Sequence, residues 1–272
     1  MRVPELKEWL KKYNLHPTKS FGQHFLCHEP TLQKISDCVE GKNVLEIGPG
    51  PGCLTEYLIQ NPERTVTVVE KDPKFHDVIH ARFPQVHWIE MDALQLNWAD
   101  YAGFFVASNL PYNVSVPLML HYTEHASLFP GAIFMMQKEV AERVNAQIRT
   151  KDYGRLSVMM QTYLDISWVM DVPPSAFWPK PSVDSTILLM RPKNPWPAVP
   201  FKKLSSLVAR AFFSRRKMLH HNIQLSADVW GASGIDSRRR AETLTHQEFA
   251  HLLKTIAEHG QKSKEVQDVE SR

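Results

Sequence analysis

Apolar residues recur along this 272-residue chain with two periods, one near 3.6 and one near 2, and the alternation between them predicts the fold. Leu6, Trp9, Leu10 and Tyr13 mark one face of an amphipathic helix over 2–13, and a second helix is predicted over 30–39. The pattern then changes to the short apolar run Asn43-Val44-Leu45-Glu46-Ile47, a strand ending in Gly48-Pro49-Gly50-Pro51-Gly52. Helix 53–60, strand 65–70, helix 73–82 and strands 86–90 and 103–108 follow, then strand 131–136 and a helix over 137–149. Met159, Met160 and Tyr163 lie in a further helix-like segment. Residues 164–172 and 182–191 read as an antiparallel pair at the sheet edge. Strands alternating with helices of this length imply an α/β fold. The prediction is a Rossmann-like, seven-stranded sheet with its antiparallel pair at one edge, followed by a small all-helical domain.

The boundary is predicted at 192–200, where Pro192, Pro195, Pro197 and Pro200 remove too many amide donors for a regular element. Residues 1–191 are read as the catalytic domain. Helices are predicted at 201–213, 215–225 and 245–259 in a domain spanning 201–260, with Thr245 and Glu248 in capping-box register. The polar stretch 261–272 is predicted to be a disordered tail.

Composition narrows the class. Hydrophobic residues make up 43% and charged residues 22%, as expected of a folded enzyme-sized protein, and no apolar run approaches membrane-spanning length. An N-terminus bearing Arg2, Glu5 and Lys7 does not resemble a secretory leader, so a cytoplasmic location is expected, with no membrane partner. Cys27, Cys38 and Cys53 have neither disulfide nor metal-ligand spacing, and no metal site is predicted. The net charge of +3 hides an uneven distribution: residues 201–240 hold nine Lys or Arg against two Asp, and residues 1–22 carry a local charge of +3. Two basic regions suit a polyanionic partner.

The glycine-rich turn after the first strand stands where open α/β sheets bind nucleotides. Its glycines fall at Gly48, Gly50 and Gly52, with Cys53 where a dinucleotide fingerprint would place another glycine. Glu46, at the strand end, suits a cationic ligand better than a pyrophosphate. A ligand with an ammonium and a sulfonium and no phosphate, S-adenosylmethionine, fits both details. Glu70 ends the second strand 22 residues after Gly48, where a carboxylate can accept both hydroxyls of a ribose; Lys71 adjoins it. Met91, Asp92 and Ala93 follow the third strand, with Asp92 placed to accept from an adenine amine and Met91 to pack on the ring.

The fourth strand delivers Asn109-Leu110-Pro111-Tyr112 to the same edge. An adenine amine is a poor nucleophile because its lone pair is delocalised into the ring. Asn109 Oδ1 and the carbonyl of Leu110 or Pro111 can accept from its N–H groups and favour a pyramidal nitrogen, while Tyr112 offers a face for stacking.

Beyond these readings, several segments resemble the ribosomal RNA adenine dimethyltransferase family. They are Lys19-Ser20-Phe21-Gly22-Gln23-His24-Phe25-Leu26, residues 44–52, Asn109-Leu110-Pro111-Tyr112-Asn113, Gln137 to Arg143, Asp152 to Ser157, Phe177 to Ser185 and Phe213-Ser214-Arg215-Arg216-Lys217. The resemblance implies dimethylation of two adjacent adenines near the 3′ end of small-subunit ribosomal RNA, by a monomer acting on a pre-ribosomal 30S-type particle and also serving its maturation. It implies that Gln23, His24, Phe25 and Leu26 close over the cofactor, and that Phe177 helps Tyr112 sandwich the target base. Lys19, Arg155, Arg210, Arg215, Arg216, Lys217, Arg238 and Arg239 are the expected RNA contacts. His28 departs from the family, which commonly has an acidic residue there. The alternatives are a resistance-type methyltransferase of large-subunit ribosomal RNA, a DNA adenine methyltransferase, and a non-catalytic assembly or transcription factor. Leu110 and the glycine spacing speak against the first. DNA enzymes more often carry two consecutive prolines before the aromatic, and an intact Gly48, Gly50, Gly52, Glu70 and Asn109 set speaks against the last.

Overall fold

The computed structural model describes residues 2–17 and 23–270, with side chains as far as His259. The chain forms two compact units, residues 1–141 with 164–193, and residues 142–163 with 194–272. This corrects the contiguous division at 191. The insert 142–163 belongs with the helical unit because its side chains are satisfied there: the Tyr153 hydroxyl donates to Leu244 O at 2.8 Å and the Tyr163 hydroxyl to Val199 O at 2.9 Å. Tyr163 also packs on Trp196 and Phe201.

The first unit is built on a seven-stranded sheet. Strand β1 is Phe25–Leu26, β2 Asn43–Ile47, β3 Thr65–Glu70, β4 His87–Glu90, β5 Phe105–Asn109, β6 Ala132–Gln137, β7 Leu164–Val172, β8 Phe177–Trp178 and β9 Ser185–Pro192. The sheet order is β4-β3-β2-β5-β6-β9-β7; the first five strands are parallel, and β9 is antiparallel to both of its neighbours. Val44, Leu45, Phe105, Val106 and Ala107 are buried completely, as central parallel strands covered on both faces must be. The edge pair β9 and β7 matches the expectation from the sequence. β1 and β8, which form a separate two-stranded ladder, were not foreseen, because two residues carry no periodicity.

Helices α1 (Val3–Lys12), α2 (Glu29–Asp37), α3 (Thr55–Leu58), α4 (His76–Arg82), α5 (Ser115–His125) and α6 (Lys138–Val144) complete this part of the chain. α3 is shorter than predicted because Gly52 takes φ +84° and the backbone turns through residues 51–54 before a helix can start. α6 likewise stops at Val144, short of the predicted 149. His28 precedes α2 without a side-chain cap to its backbone; its Nδ1 meets the Thr31 hydroxyl at 2.8 Å instead.

The second unit holds α7 (Arg155–Tyr163), α8 (Phe201–Ala211), α9 (Leu219–Asn222), α10 (Ala227–Ser233) and α11 (His246–Glu270) around Leu204, Val208, Leu219, Ile223, Phe249 and Leu252. The helix predicted over 215–225 is confined to α9, since residues 212–217 form turns. α11 is capped as expected: Glu248 N–H donates to Thr245 Oγ1 at 3.1 Å and Thr245 N–H to Glu248 Oε2 at 2.7 Å. It continues to Glu270 where a disordered tail was expected, in a stretch of helix-favouring Gln, Lys and Glu without proline. No helix among the described residues is long and apolar enough to cross a membrane.

Candidate active site

A cavity of about 270 Å³ opens at the carboxyl ends of β2, β3, β4 and β5, where an open α/β sheet places its ligands. It gathers Gln23, His24, Phe25, Leu26, Glu46, Gly48, Gly50, Glu70, Lys71, Met91, Asp92, Ala93, Asn109, Leu110, Pro111 and Tyr112, which is nearly the whole site expected from the sequence. Two expected residues, Gly52 and Phe177, are not among the lining residues. Gly52 does not line the cavity; a Cβ there would lie 2.6 Å from the Phe83 ring and 2.8 Å from Ile79, so this glycine serves packing behind the loop. Phe177 is 4% exposed and also lies outside the lining, because its backbone is laddered to Leu26 and its ring is drawn into the core.

The loop after β2 is shaped from both sides. Gly50 takes φ +53°, and a Cβ on it would come to 3.0 Å from the Phe25 ring, so backbone and aromatic ring can meet only without a side chain. Behind it, the Arg82 guanidinium donates to Pro51 O at 2.6 Å and to Glu56 at 3.0 Å, with a side chain only 7% exposed. No local sequence signal marks Arg82 for this task, since its partners lie 26 and 31 residues away.

Among the described residues, four carboxylates and one lysine, Lys71, line the site. Glu46 is almost completely buried and accepts the Thr55 hydroxyl at 2.7 Å; burial pushes its pKa up to about 8. Glu70 accepts the amides of Gly50 at 3.1 Å and Asp72 at 2.9 Å, one on each oxygen; burial nevertheless raises its pKa above the usual range. Asp92 accepts Leu94 N–H at 3.0 Å and the Lys71 ammonium at 2.7 Å, and that ammonium holds its carboxyl below the usual range. Asp72, missed from the sequence, is buried beside Glu70 and takes Gln23 Nε2 at 3.4 Å. Buried carboxylates on a wall whose described lining holds no cation but the largely exposed Lys71 suit a positively charged ligand.

At the end of β5, Asn109 Nδ2 donates to His24 O at 3.0 Å. A carbonyl can only accept, so this bond fixes which way the amide points and leaves Oδ1 as an acceptor. Leu110 N–H is used by Met135 O at 2.9 Å, and Pro111 O accepts Val114 N–H at 3.1 Å. The Leu110 carbonyl is thus the better second acceptor of the two left open by the sequence. Tyr112 shares a hydrogen bond of 2.7 Å with Ser185 Oγ, across 73 residues, and burial raises its phenol pKa. The ring stacked on Tyr112 is His24, at 5.5 Å between centroids. His24 Nδ1 lies 2.8 Å from Pro179 O and therefore carries the proton.

The expected RNA contacts divide by what their charges already touch. Arg215 donates to the carbonyls of Lys151 and Thr150 at 2.5 and 2.8 Å, with Glu242 at 3.8 Å. Arg239 forms a two-pronged pair with Glu248 and also bonds Thr243. Both cations are spent on holding the helical unit together. Arg238 leans on the exposed Asp236 at 3.2 Å. Arg155, Arg210, Arg216 and Lys217 are exposed and have no ion-pair partner among the described residues. Lys19 lies outside the described residues.

Residues 14–258 match the family model of ribosomal RNA adenine dimethylase. The chain is similar to the ribosomal RNA small subunit methyltransferase A of Legionella pneumophila strain Corby, 38% identical over 253 residues, covering 89% of this chain and 98% of that protein. Among solved structures it resembles a dimethyladenosine transferase from Plasmodium falciparum, with TM-score 0.77 and 26% identity over 87% of this chain and 98% of that one. The 23S rRNA methyltransferase ErmE shares the fold, with TM-score 0.61 and 22% identity over 86% of this chain and 99% of that one.

Proposed function

Because this chain belongs to the ribosomal RNA adenine dimethylase family, and is accordingly an S-adenosylmethionine-dependent methyltransferase, we propose that it dimethylates N6 of two adjacent adenines near the 3′ end of small-subunit ribosomal RNA. The orientation of Asn109 carries this reading. Its Nδ2 is committed to His24 O, so Oδ1 and the Leu110 carbonyl are the acceptors available to the two N–H bonds of an adenine amine.

S-adenosylmethionine supplies a methyl group on a sulfonium. The residues toward it fit their tasks: Glu70 for the ribose hydroxyls, Asp92 and Met91 for the adenine end, and buried Glu46 for the charge of the methionine end. Asn109 and Leu110 then hold the target amine so that its lone pair, freed from the ring by pyramidalisation, points at the methyl carbon. Tyr112 stacks the base beneath it. The proton leaves after transfer, when nitrogen is cationic, so no side chain has to act as a strong base. A pre-ribosomal 30S-type particle is the proposed partner, with the chain acting as a cytoplasmic monomer and also serving subunit maturation. The small-subunit name of the 38% identical relative supports this substrate over the large subunit.

Radiolabelled cofactor and undermethylated small subunits test the proposal. Wild-type protein labels adjacent adenines, and Asn109→Ala lowers that labelling by about 100-fold or more while cofactor binding stays nearly intact. Label confined to large-subunit RNA, or unchanged activity in Asn109→Ala, would refute it.

A further inference from the structure

The sequence places two phenylalanines side by side after α8, and the structure sends them in opposite directions. Phe212 turns inward onto Tyr153 and Phe249, at 6.4 and 5.9 Å between centroids. Phe213 is 88% exposed, twice the value of any other large apolar side chain described, the next being Met218 at 42%. This exposure belongs to a well-held turn. Asn222 Nδ2 donates to Ala211 O at 2.8 Å and Ser214 O at 3.0 Å, and Phe213 N–H donates to Arg210 O at 3.1 Å. Arg215 anchors the same turn through its two carbonyl bonds, so the turn is held while the Phe213 side chain stands exposed.

What surrounds Phe213 is cationic. Arg210, Arg216 and Lys217 are exposed and without carboxylate partners among the described residues. Met218 bridges Arg240, and Leu219 N–H donates to Arg239 O at 2.8 Å, so the second basic run, 238–240, is brought alongside the first. An exposed aromatic face amid unpaired guanidinium and ammonium groups combines the two elements that hold single-stranded nucleic acid: a π surface for the base and charge for the backbone. A protein partner would more often bury such a ring among other apolar side chains, and here the exposed side chains that flank it in the chain include Arg210, Arg216 and Lys217.

We propose that Phe213 is a stacking platform for one unpaired nucleobase of the RNA, with Arg210, Arg216 and Lys217 holding the adjoining phosphates. This rests on the reading that the chain acts on RNA, and it adds a second base-binding position, remote in sequence from Asn109 and Tyr112.

The test measures the affinity of the full chain for a fluorescent cytidine-only 12-mer and for an abasic 12-mer with the same backbone, at one fixed salt concentration. Cytidine is chosen so that an adenine-accepting site contributes nothing. Phe213→Ala should weaken binding to the cytidine oligomer by between about 5- and 100-fold and leave abasic binding unchanged; Phe213→Trp should restore it, with the new indole quenched on binding. Phe213→Leu, apolar but without a π face, should behave as alanine does. Equal losses on both oligomers, no loss at all, or full cytidine-oligomer affinity in Phe213→Leu would overturn the proposal. So would a wild-type self-association abolished by Phe213→Ala with RNA affinity unchanged, which would make a second copy of the chain the occupant. Failure of wild-type protein to bind either oligomer would instead count against the RNA reading itself, which methylation of small subunits tests independently.

Discussion

Replacing Glu46 by glutamine turns a buried ionisable group into a neutral one of the same shape. In the folded chain the carboxyl, almost fully buried against Thr55, has its pKa raised from an ordinary 4.5 to about 8. The folded state therefore keeps a proton that the unfolded chain releases, and stability must fall as pH rises through that interval. The slope approaches about 1.4 kcal/mol per pH unit for one proton, and the full cost, reached above about pH 8, has a ceiling of about 5 kcal/mol. Glutamine cannot ionise and can still accept from Thr55. Glu70 is shifted in the same direction by burial, so the wild-type curve alone does not isolate Glu46; the difference between the two proteins does. Urea denaturation of both, without cofactor, from pH 5 to 8 should show the wild type losing ground steadily to Glu46→Gln. Adding S-adenosylmethionine should flatten that difference, because a bound ammonium favours the carboxylate. Parallel curves across the whole range would show that Glu46 is already ionised in the folded state, and would refute the upward shift that burial imposes on it.

Three further outcomes follow from the same geometry. Ser185→Ala removes the partner of the Tyr112 hydroxyl and should lower kcat/KM for RNA about fivefold, with cofactor affinity unchanged and Ser185→Thr retaining activity. Combining it with Tyr112→Phe should add nothing, and independent losses would disprove the coupling. Gly52→Ala, with φ +84° and a Cβ driven into Phe83 and Ile79, should cost about 2–4 kcal/mol in denaturant titration. Gly103→Ala has φ +85° but open space, and should cost only about 1–2 kcal/mol; equal costs would show that the crowding at Gly52 is relieved without penalty.

The site was legible where chemistry follows directly from a strand end. Glu46, Glu70, Asp92 and Asn109 each lie at or just beyond the carboxyl end of a strand of the parallel sheet, and a parallel sheet brings such ends together without further information. The burial of Phe177 was not legible, because it depends on a two-residue ladder with Leu26 that no periodicity announces. Ser185 and Arg82 were invisible for the same reason: their partners are distant in sequence and include backbone carbonyls or a single hydroxyl. Counting basic residues located the charged unit but could not separate Arg215 and Arg239, consumed by internal acceptors, from Arg216 and Lys217, which remain exposed. The insert 142–163 was assigned to the wrong unit because a local helical pattern does not say which neighbour will cover it.

The division of the chain also sets an order of construction. The backbone passes from one compact unit to the other after residues 141, 163 and 193. As the nascent polypeptide lengthens, β6 is complete at Gln137, but the strand that pairs with its outer edge begins only at Ser185. For the time taken to add those residues, a buried row that includes Ile133, Phe134 and Met135 borders an open edge, a state prone to pairing with the wrong strand. The insert must wait longer, since Tyr153 finds its acceptor only at Leu244. No single cleavage can release either part intact, and a fragment ending at residue 193 would carry α7 without the helices that cover it. An exchange of helical units between relatives would need three junctions.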